Sequence, residues 1–320
     1  EKLIRGNVIS NEDYYVAMNQ KGEGVSVYKN QFINRFKSTE DYSQGIFFNI
    51  KNIKSKKIWT SNYKENDKYQ ISFMPDKIEQ EMINENIKTK IKTIVTPDEP
   101  VEIRQLTLEN LGNDEEIIEI TSYFEPVLST KEQDYAHPVF NNLSLVYDFD
   151  YETNSIIVKR KSRSNSNQKL YMCANLSTNN ETVGDLEFEI DKEKFFGRGN
   201  FEIPQMVKNS NPFSKKVGLV AEGVIALKRT LKLEPEQKTT INLIISVGED
   251  KEKVIDNVKK YKIEENIEKN FELSKAKNET ESRYLRIKGT QIREYQKMLS
   301  YIIFNNPSKA IKLNKLPKYV

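Results

Sequence analysis

Ile87-Lys-Thr-Lys-Ile91-Lys-Thr-Ile-Val95 alternates without a break. Ile87, Thr89, Ile91, Thr93 and Val95 fall on one side of an extended chain, and Lys88, Lys90 and Lys92 on the other. A period of two marks a strand with one buried and one wet face. The same period recurs in Ile241, Leu243, Ile245 and Val247. Interrupted by Arg229, it recurs again in Ile225, Leu227, Leu231 and Leu233. Glu234-Pro-Glu-Gln-Lys238 separates these two sets. Its proline has no N–H to give a ladder, so the chain turns there, and the spacing predicts a hairpin over 231–247. Further strands are expected near 14–19, 24–36, 45–50, 68–74, 101–110, 116–128, 143–149, 155–160 and 169–175. Turns such as Leu111-Gly-Asn-Asp114 join them. Many antiparallel strands without alternating helices argue for a mainly β fold of two stacked sheets, larger than an immunoglobulin domain.

After Gly248 the period changes. Val254, Val258 and Tyr261, then Ile263, Ile267 and Phe271, fall at helical spacing, and the second set runs into a charged helix ending near Leu285. A third segment, 290–304, carries Ile292, Tyr295, Leu299, Ile302 and Ile303 on one stripe. Gly289 is expected to separate the second and third helices and Pro307 to end the third. So apolar a stripe needs a cover, which is either the sandwich or a domain beyond Val320. Residues 1–249 therefore read as a sandwich and 250–320 as a helical linker.

Composition narrows the function. The chain has 320 residues, 37% of them hydrophobic and 30% charged, with 15 Phe and 16 Tyr. Its mean hydropathy is −0.69. The aromatic bulk is enough for a core, so wholesale disorder is excluded. The 50 basic and 47 acidic side chains leave a net charge of +3. That is no footprint for nucleic acid. The basic run Lys159-Arg160-Lys161 with Arg163 lies beside Ser164-Asn-Ser-Asn167 and reads as a solvated turn. No apolar run is long enough to predict a membrane span. One cysteine, Cys173, allows no internal disulfide, and one histidine, His137, allows no multi-histidine metal site. No metal or cofactor is expected. The first residue is Glu and no apolar leader follows, which fits a cleaved or excised chain. With the free thiol, this favours the cytoplasm, and a domain embedded in a larger membrane enzyme would read the same.

Motifs for chemistry are few. There is no phosphate-binding glycine loop, nucleophile elbow or His-Glu-x-x-His helix. Glu115-Glu116 and Glu264-Glu265 read as structural. Cys173, in Leu170-Tyr-Met-Cys-Ala174, reads as a buried inert thiol. His137 sits in Tyr135-Ala-His-Pro-Val-Phe140, an aromatic-rich segment expected to be a loop. It suits either backbone bonding or donation to a sugar hydroxyl. Trp59 suits either the core or a stacking face for a sugar ring.

Several stretches together resemble one family. Gly22-Glu-Gly-Val-Ser26, Asn34-Arg-Phe36, Asp41-Tyr42 with Gly45, and Ile58-Trp-Thr60 follow the order seen in the amino-terminal domain of glycoside hydrolase family 94, formerly glycosyltransferase family 36. Thr121-Ser-Tyr-Phe-Glu125-Pro-Val-Leu128, Ala136-His-Pro-Val-Phe140 and Phe195-Phe-Gly-Arg-Gly199 continue it. The last two are most similar to the branch of cyclic β-1,2-glucan synthases and 1,2-β-oligoglucan phosphorylases. The resemblance implies a galactose-mutarotase-like super-sandwich of two large antiparallel sheets, then helices leading into an (α/α)6 catalytic barrel. In that family the general acid and the phosphate site belong to the barrel, and no segment here matches them. This chain alone is therefore expected to be inactive. Aldose epimerases share the fold but need two active-site histidines, and only His137 exists. The implied partners are a β-glucan or β-gluco-oligosaccharide, the continuous barrel and a second subunit. Candidate sugar-binding or pocket-rim residues are Arg35, Tyr42, Trp59, His137 and Arg198, with Gly197 and Gly199 permitting an unusual backbone around Arg198.

Overall fold

A computed structural model describes residues 5–37, 44–62, 68–161, 169–198 and 202–304. Its strands form three antiparallel sheets where two were expected. The amino-terminal sheet runs β1 (Gly6–Ser10), β2 (Tyr14–Asn19), β3 (Gly24–Tyr28), β4 (Gln31–Asn34) and β12 (Pro126–Ser129). The long sheet runs β13 (Leu145–Asp150), β14 (Ser155–Arg160), β15 (Leu170–Ser177), β18 (Lys238–Gly248), β10 (Val101–Asn110), β9 (Ile87–Val95), β8 (Ile78–Asn84) and β7 (Lys68–Phe73). The third runs β16 (Glu187–Asp191), β17 (Gly223–Leu233), β11 (Glu116–Phe124), β5 (Phe47–Asn52) and β6 (Ile58–Thr60).

The amino-terminal and third sheets both turn their inner faces to the long one, and a single core joins all three. Ile9, Val16 and Ile33 come from the first, Phe48, Ile120 and Leu227 from the third, and Ile91, Leu106 and Leu243 from the long sheet. The layer facing the long sheet is divided because β11 stops at Phe124 and the chain restarts with Pro126, which has no N–H to extend a ladder. Leu128 then adopts the left-handed conformation, with φ 51°.

The expected hairpin is not one. β17 lies between β16 and β11, while β18 lies between β15 and β10 in the opposite layer. Their apolar faces meet across the core instead of sharing a ladder, because both strands bury one face against the other layer. The step from β10 to β11 is a second such arch. Asn110 joins the two turns: its Nδ2 donates to the carbonyls of Asp114 at 2.8 Å and Leu233 at 3.2 Å, and its Oδ1 accepts from Gly112 N–H at 3.0 Å. Its backbone pairs with Gln237 and Glu236.

One ion pair lies inside the core. Glu102 and Arg104 share the inner face of β10, and both are buried. Glu102 accepts from Arg104 Nε at 2.7 Å and, with its other oxygen, from Tyr14 Oη at 2.8 Å and Ser26 Oγ at 2.6 Å. Arg104 Nη1 donates to the Ile46 carbonyl at 2.8 Å. Sequence pattern alone marked neither residue.

The outer faces are covered by helices. α5 (Lys251–Tyr261) and α6 (Glu264–Tyr284) set Val254, Val258, Tyr261 and Ile267 on Ile94, Ile103, Ile157 and Ile244 of the long sheet. α3 (Lys192–Phe196) and α4 (Gln205–Lys208) cover the third sheet, where Phe195, Phe196 and Val207 meet Phe47 and Tyr123. α7 (Gly289–Ile303) lies on β1 and β2. Gly289 is its first residue, so the break that glycine was expected to make falls earlier, at 285–288. Pro307 lies outside the described residues. No helix among the described residues is long and apolar enough to cross a membrane.

Glu102→Leu should cost about 3–5 kcal/mol in urea unfolding, because it strands the Arg104 charge in the core. Adding Arg104→Met should recover much of that loss. A loss for the double variant equal to the sum of the losses for Glu102→Leu and Arg104→Met alone would show that the pair is not coupled.

Candidate functional site

Arg35 leaves the end of β4 and enters a cluster of charges at the edge of the amino-terminal sheet. Its Nε and Nη2 grip Asp134 Oδ2 and Oδ1 at 3.0 and 2.8 Å. Nη1 donates to Glu125 Oε2 at 2.9 Å, and Nη2 also to Asn142 Oδ1 at 3.0 Å. Lys192 takes the other Glu125 oxygen at 3.1 Å. Asn141 Nδ2 reaches Asp134 Oδ1 and the Val127 carbonyl, both at 3.1 Å, and Arg160 donates to Asn141 Oδ1. Burial opposes the charge on Arg35. The hydrogen bonds Arg35 donates to Asp134 and the charge of Glu125 outweigh it, and the guanidinium is held more firmly protonated than usual. Tyr147 lies beside the cluster, its hydroxyl against Gly223, where a Cβ would sit 1.8 Å from the oxygen.

The cluster anchors two short helices, α1 (Lys131–Ala136) and α2 (Pro138–Leu143). Thr130 caps α1 by accepting from Gln133 N–H at 3.4 Å. Pro138 opens α2 with a ring already set for a helix, and it drives the preceding residue out of helical geometry. His137, at φ −145° and ψ 66°, is that residue. The expected loop is thus a helix–helix joint. The His137 N–H donates to the Gln133 carbonyl at 3.2 Å, and its carbonyl accepts from Asn141 N–H at 3.0 Å. The backbone makes these bonds, and the imidazole stands exposed, edge-on to Phe140 at 6.0 Å. Val139, Phe140 and Leu143 are exposed around it. Tyr135 carries the ammonium groups of Lys37 and Lys131 over its ring, at 5.2 and 5.4 Å, and its hydroxyl donates to the Phe36 carbonyl at 2.8 Å.

Arg35 and His137 therefore lie at one corner, and Trp59 and Arg198 lie elsewhere. Trp59 is 4% exposed, and its Nε1 donates to Thr89 Oγ1 at 3.3 Å inside the core. Its rings have no open face for a sugar, because β6 turns them toward the long sheet. Arg198 follows α3, with a side chain 96% exposed and Glu193 3.9 Å away. Gly197 before it has φ 74°, a conformation that suits glycine. Tyr42 and Gly199 lie outside the described residues. Sequence reading missed Asp134, Asn141, Asn142 and Lys192. The cap Thr130 and the Pro138 helix start were the signals that could have placed Asp134 and the asparagines on helices facing Arg35.

Chemically the corner is a clamp of ion pairs beneath a set of exposed rings. Both oxygens of Asp134 and of Glu125 are engaged by cations or amides. The exposed rings can take the C–H face of a sugar, and the imidazole and lysines can donate to hydroxyls. Cys173 is buried against α5, and burial pushes its thiol up to about 12, with Ser155 pulling it back. It has no nucleophilic character at neutral pH.

Three comparisons bear on this arrangement. Residues 3–264 match the family described as "Glycosyl hydrolase 94, supersandwich domain". The chain is 22% identical over 306 residues to the cyclic beta-(1,2)-glucan synthase NdvB of Rhizobium meliloti (strain 1021). That alignment covers 93% of this chain but 11% of the relative, so the chain spans about a tenth of that protein's length. Among solved structures, it is similar to a bacterial glucoamylase complexed with acarbose, with TM-score 0.50 and 10% identity over 85% of this chain and 40% of that one. The last likeness is one of fold alone.

Arg35→Ala should speed amide hydrogen exchange across 131–143 and cost about 3–5 kcal/mol by leaving Asp134 unpaired. Arg35→Lys should restore part of the protection, since a lysine cannot grip both oxygens. Exchange unchanged from wild type in both variants would show that the cluster does not hold the helices. Cys173 should resist thiol reagents at pH 8 until the chain unfolds. Its pKa is raised on folding from an ordinary 9.0. Its contribution to stability is therefore intact below about pH 9 and lost as pH climbs toward about 12. Rapid labelling of the native chain at pH 8 would contradict this.

Proposed function

The chain belongs to the glycosyl hydrolase 94 supersandwich family, and from that premise we propose that it is the non-catalytic, carbohydrate-associated domain of a β-glucan-acting phosphorylase or glycosyltransferase. In this reading residues 1–249 form the sandwich, and 250–320 lead toward a catalytic barrel whose entrance the sandwich flanks. The observation that carries the reading is the α1–α2 corner. It is an exposed group of Tyr135, His137 and Phe140 held rigid from beneath by the Arg35 ion pairs. A pre-organised surface of rings and donors loses little freedom when a sugar settles on it. The relative's activity on β-1,2-glucan makes a β-1,2-linked oligosaccharide the first ligand to try.

A second reading, a scaffold or dimerisation module with no sugar contact, draws on two other placements. Trp59 is enclosed, and every nitrogen of the Arg35 guanidinium is already engaged within the domain. Calorimetric titration of this chain with β-1,2-, β-1,3- and β-1,4-linked gluco-oligosaccharides separates the two. Saturable binding selective for the β-1,2 series, weakened about tenfold or more by His137→Ala with Phe140→Ala, is expected. Silence across the panel at millimolar sugar would leave the scaffold.

A further inference from the structure

The turn Asp150-Tyr-Glu-Thr-Asn154 joins β13 to β14, and Tyr151 on it is 82% exposed. Its ring is nonetheless supported. Tyr151 meets Phe149 edge-on at 5.1 Å, and Phe149 lies flat on Phe188 of β16 at 4.4 Å. Phe188 belongs to the core, so three rings run from solvent into the sandwich. The turn beneath them is held from three directions. Thr153 N–H donates to Asp150 Oδ2 at 2.9 Å, and the Thr153 hydroxyl donates to the same oxygen. Asn175 Nδ2, from β15, donates to the carbonyls of Thr153 at 2.9 Å and Asn154 at 3.1 Å. Lys262, at the end of α5, reaches the Thr153 carbonyl at 3.0 Å. Asn154 closes the reversal at φ 55°, in the left-handed region that asparagine tolerates.

We propose that Tyr151 is the stacking platform of a carbohydrate-contact site distinct from the α1–α2 corner, and that its ligand is an uncharged gluco-oligosaccharide. The choice of glucan rests on the reading above, and the site is a different one. A sugar ring has an apolar C–H face and a rim of hydroxyls, so it needs one aromatic surface with donors and acceptors beside it. Glu152, its side chain 72% exposed, supplies the acceptor, and Lys259, paired with it at 2.8 Å, supplies the donor. Asn154 is exposed on the other side of Thr153. A protein partner needs a different surface, because the centre of such an interface is apolar and poor in charge. This turn is ringed by Asp148, Asp150 and Glu152 and by Lys251, Lys259 and Lys262. Acids and lysines balance three to three, which suits a ligand without charge. The fixed turn also loses little freedom when the ring is covered. β13 has six residues and sets the two sites at its opposite ends, about 20 Å apart at the rise of an extended strand.

Calorimetric titration of the 320-residue chain with β-1,2-linked gluco-oligosaccharides of increasing length tests the site. Tyr151→Ala should weaken binding about tenfold or more. Tyr151→Phe keeps the ring and should bind as the native chain does. Both variants change an exposed turn residue, so their urea midpoints should stay close to the native one. The corner variant, His137→Ala with Phe140→Ala, should retain a component of binding that Tyr151→Ala then removes. Affinity in Tyr151→Ala equal to that of the native chain would overturn this site. If the corner variant abolished binding in the same series, the reading above would stand alone. Binding removed by Tyr151→Ala and kept by the corner variant would leave this site standing and the corner without a role. Equal weakening in Tyr151→Ala and Tyr151→Phe would also overturn the proposal, since the ring would not be what the sugar meets. Silence across the series at millimolar sugar would overturn both sites.

Discussion

Two arches that cross between layers at the same end set the geometry of the rest of the sandwich. Strands within a layer are held by their ladders, but nothing in a ladder fixes how far one layer slides over the other. Asn110 supplies that constraint. It belongs to the first arch and binds the Leu233 carbonyl of the second, and all of its amide's polar atoms are used in doing so. Further along β10, Glu102 makes the second tie between layers, through Tyr14 of β2 and Ser26 of β3. A hydrophobic contact tolerates sliding by a fraction of a residue. A carboxylate with fixed donors does not, and a buried polar group punishes any misfit.

The α1–α2 corner uses the same physics at the rim. Helices of six residues are too short to be stable alone, and these bury little of their apolar surface: Val139, Phe140 and Leu143 all face out. Charges fix them instead, through the grip of Arg35 on Asp134 and Asn142. The apolar side chains are thereby left free for another role. In α7 the division is different, because one face is spent on docking to the sandwich and a second is kept open.

The strands were legible in the sequence because alternation is a local signal. Ile87 to Val95 announced both its conformation and its inner face. The helices after 250 were legible for the same reason, at the other period. What the sequence did not show was partnership. Strands β17 and β18 have perfect hairpin chemistry between them, with Pro235 at the turn, yet each pairs elsewhere. Which strand a neighbour chooses depends on the layer its inner face needs, and that is set by residues far off in sequence, such as Ile120 opposite Arg229 and Leu106 opposite Ile241. The site divides along the same line. Arg35 and His137 were visible as unusual residues in recognisable stretches, but Asp134 looked like any surface acid of a charged chain. Trp59 was ambiguous until the third sheet turned it inward.

The arches also dictate an order of assembly. Among the described strands β17 and β18 are the last to be synthesised, yet each sits in the interior of its sheet, flanked on both sides. Until residues 223–248 leave the ribosome, the long sheet exists only as two separate ladders, β7 to β10 and β13 to β15, each with an open edge where β18 will go. The pairings that close it are distant in sequence, and such closures are slow. A nascent chain therefore carries two unfilled slots of apolar, hydrogen-bonding edge for most of its synthesis, the kind of surface on which partly made β proteins associate. Residues 223–248 thus act as the key that locks both layers together.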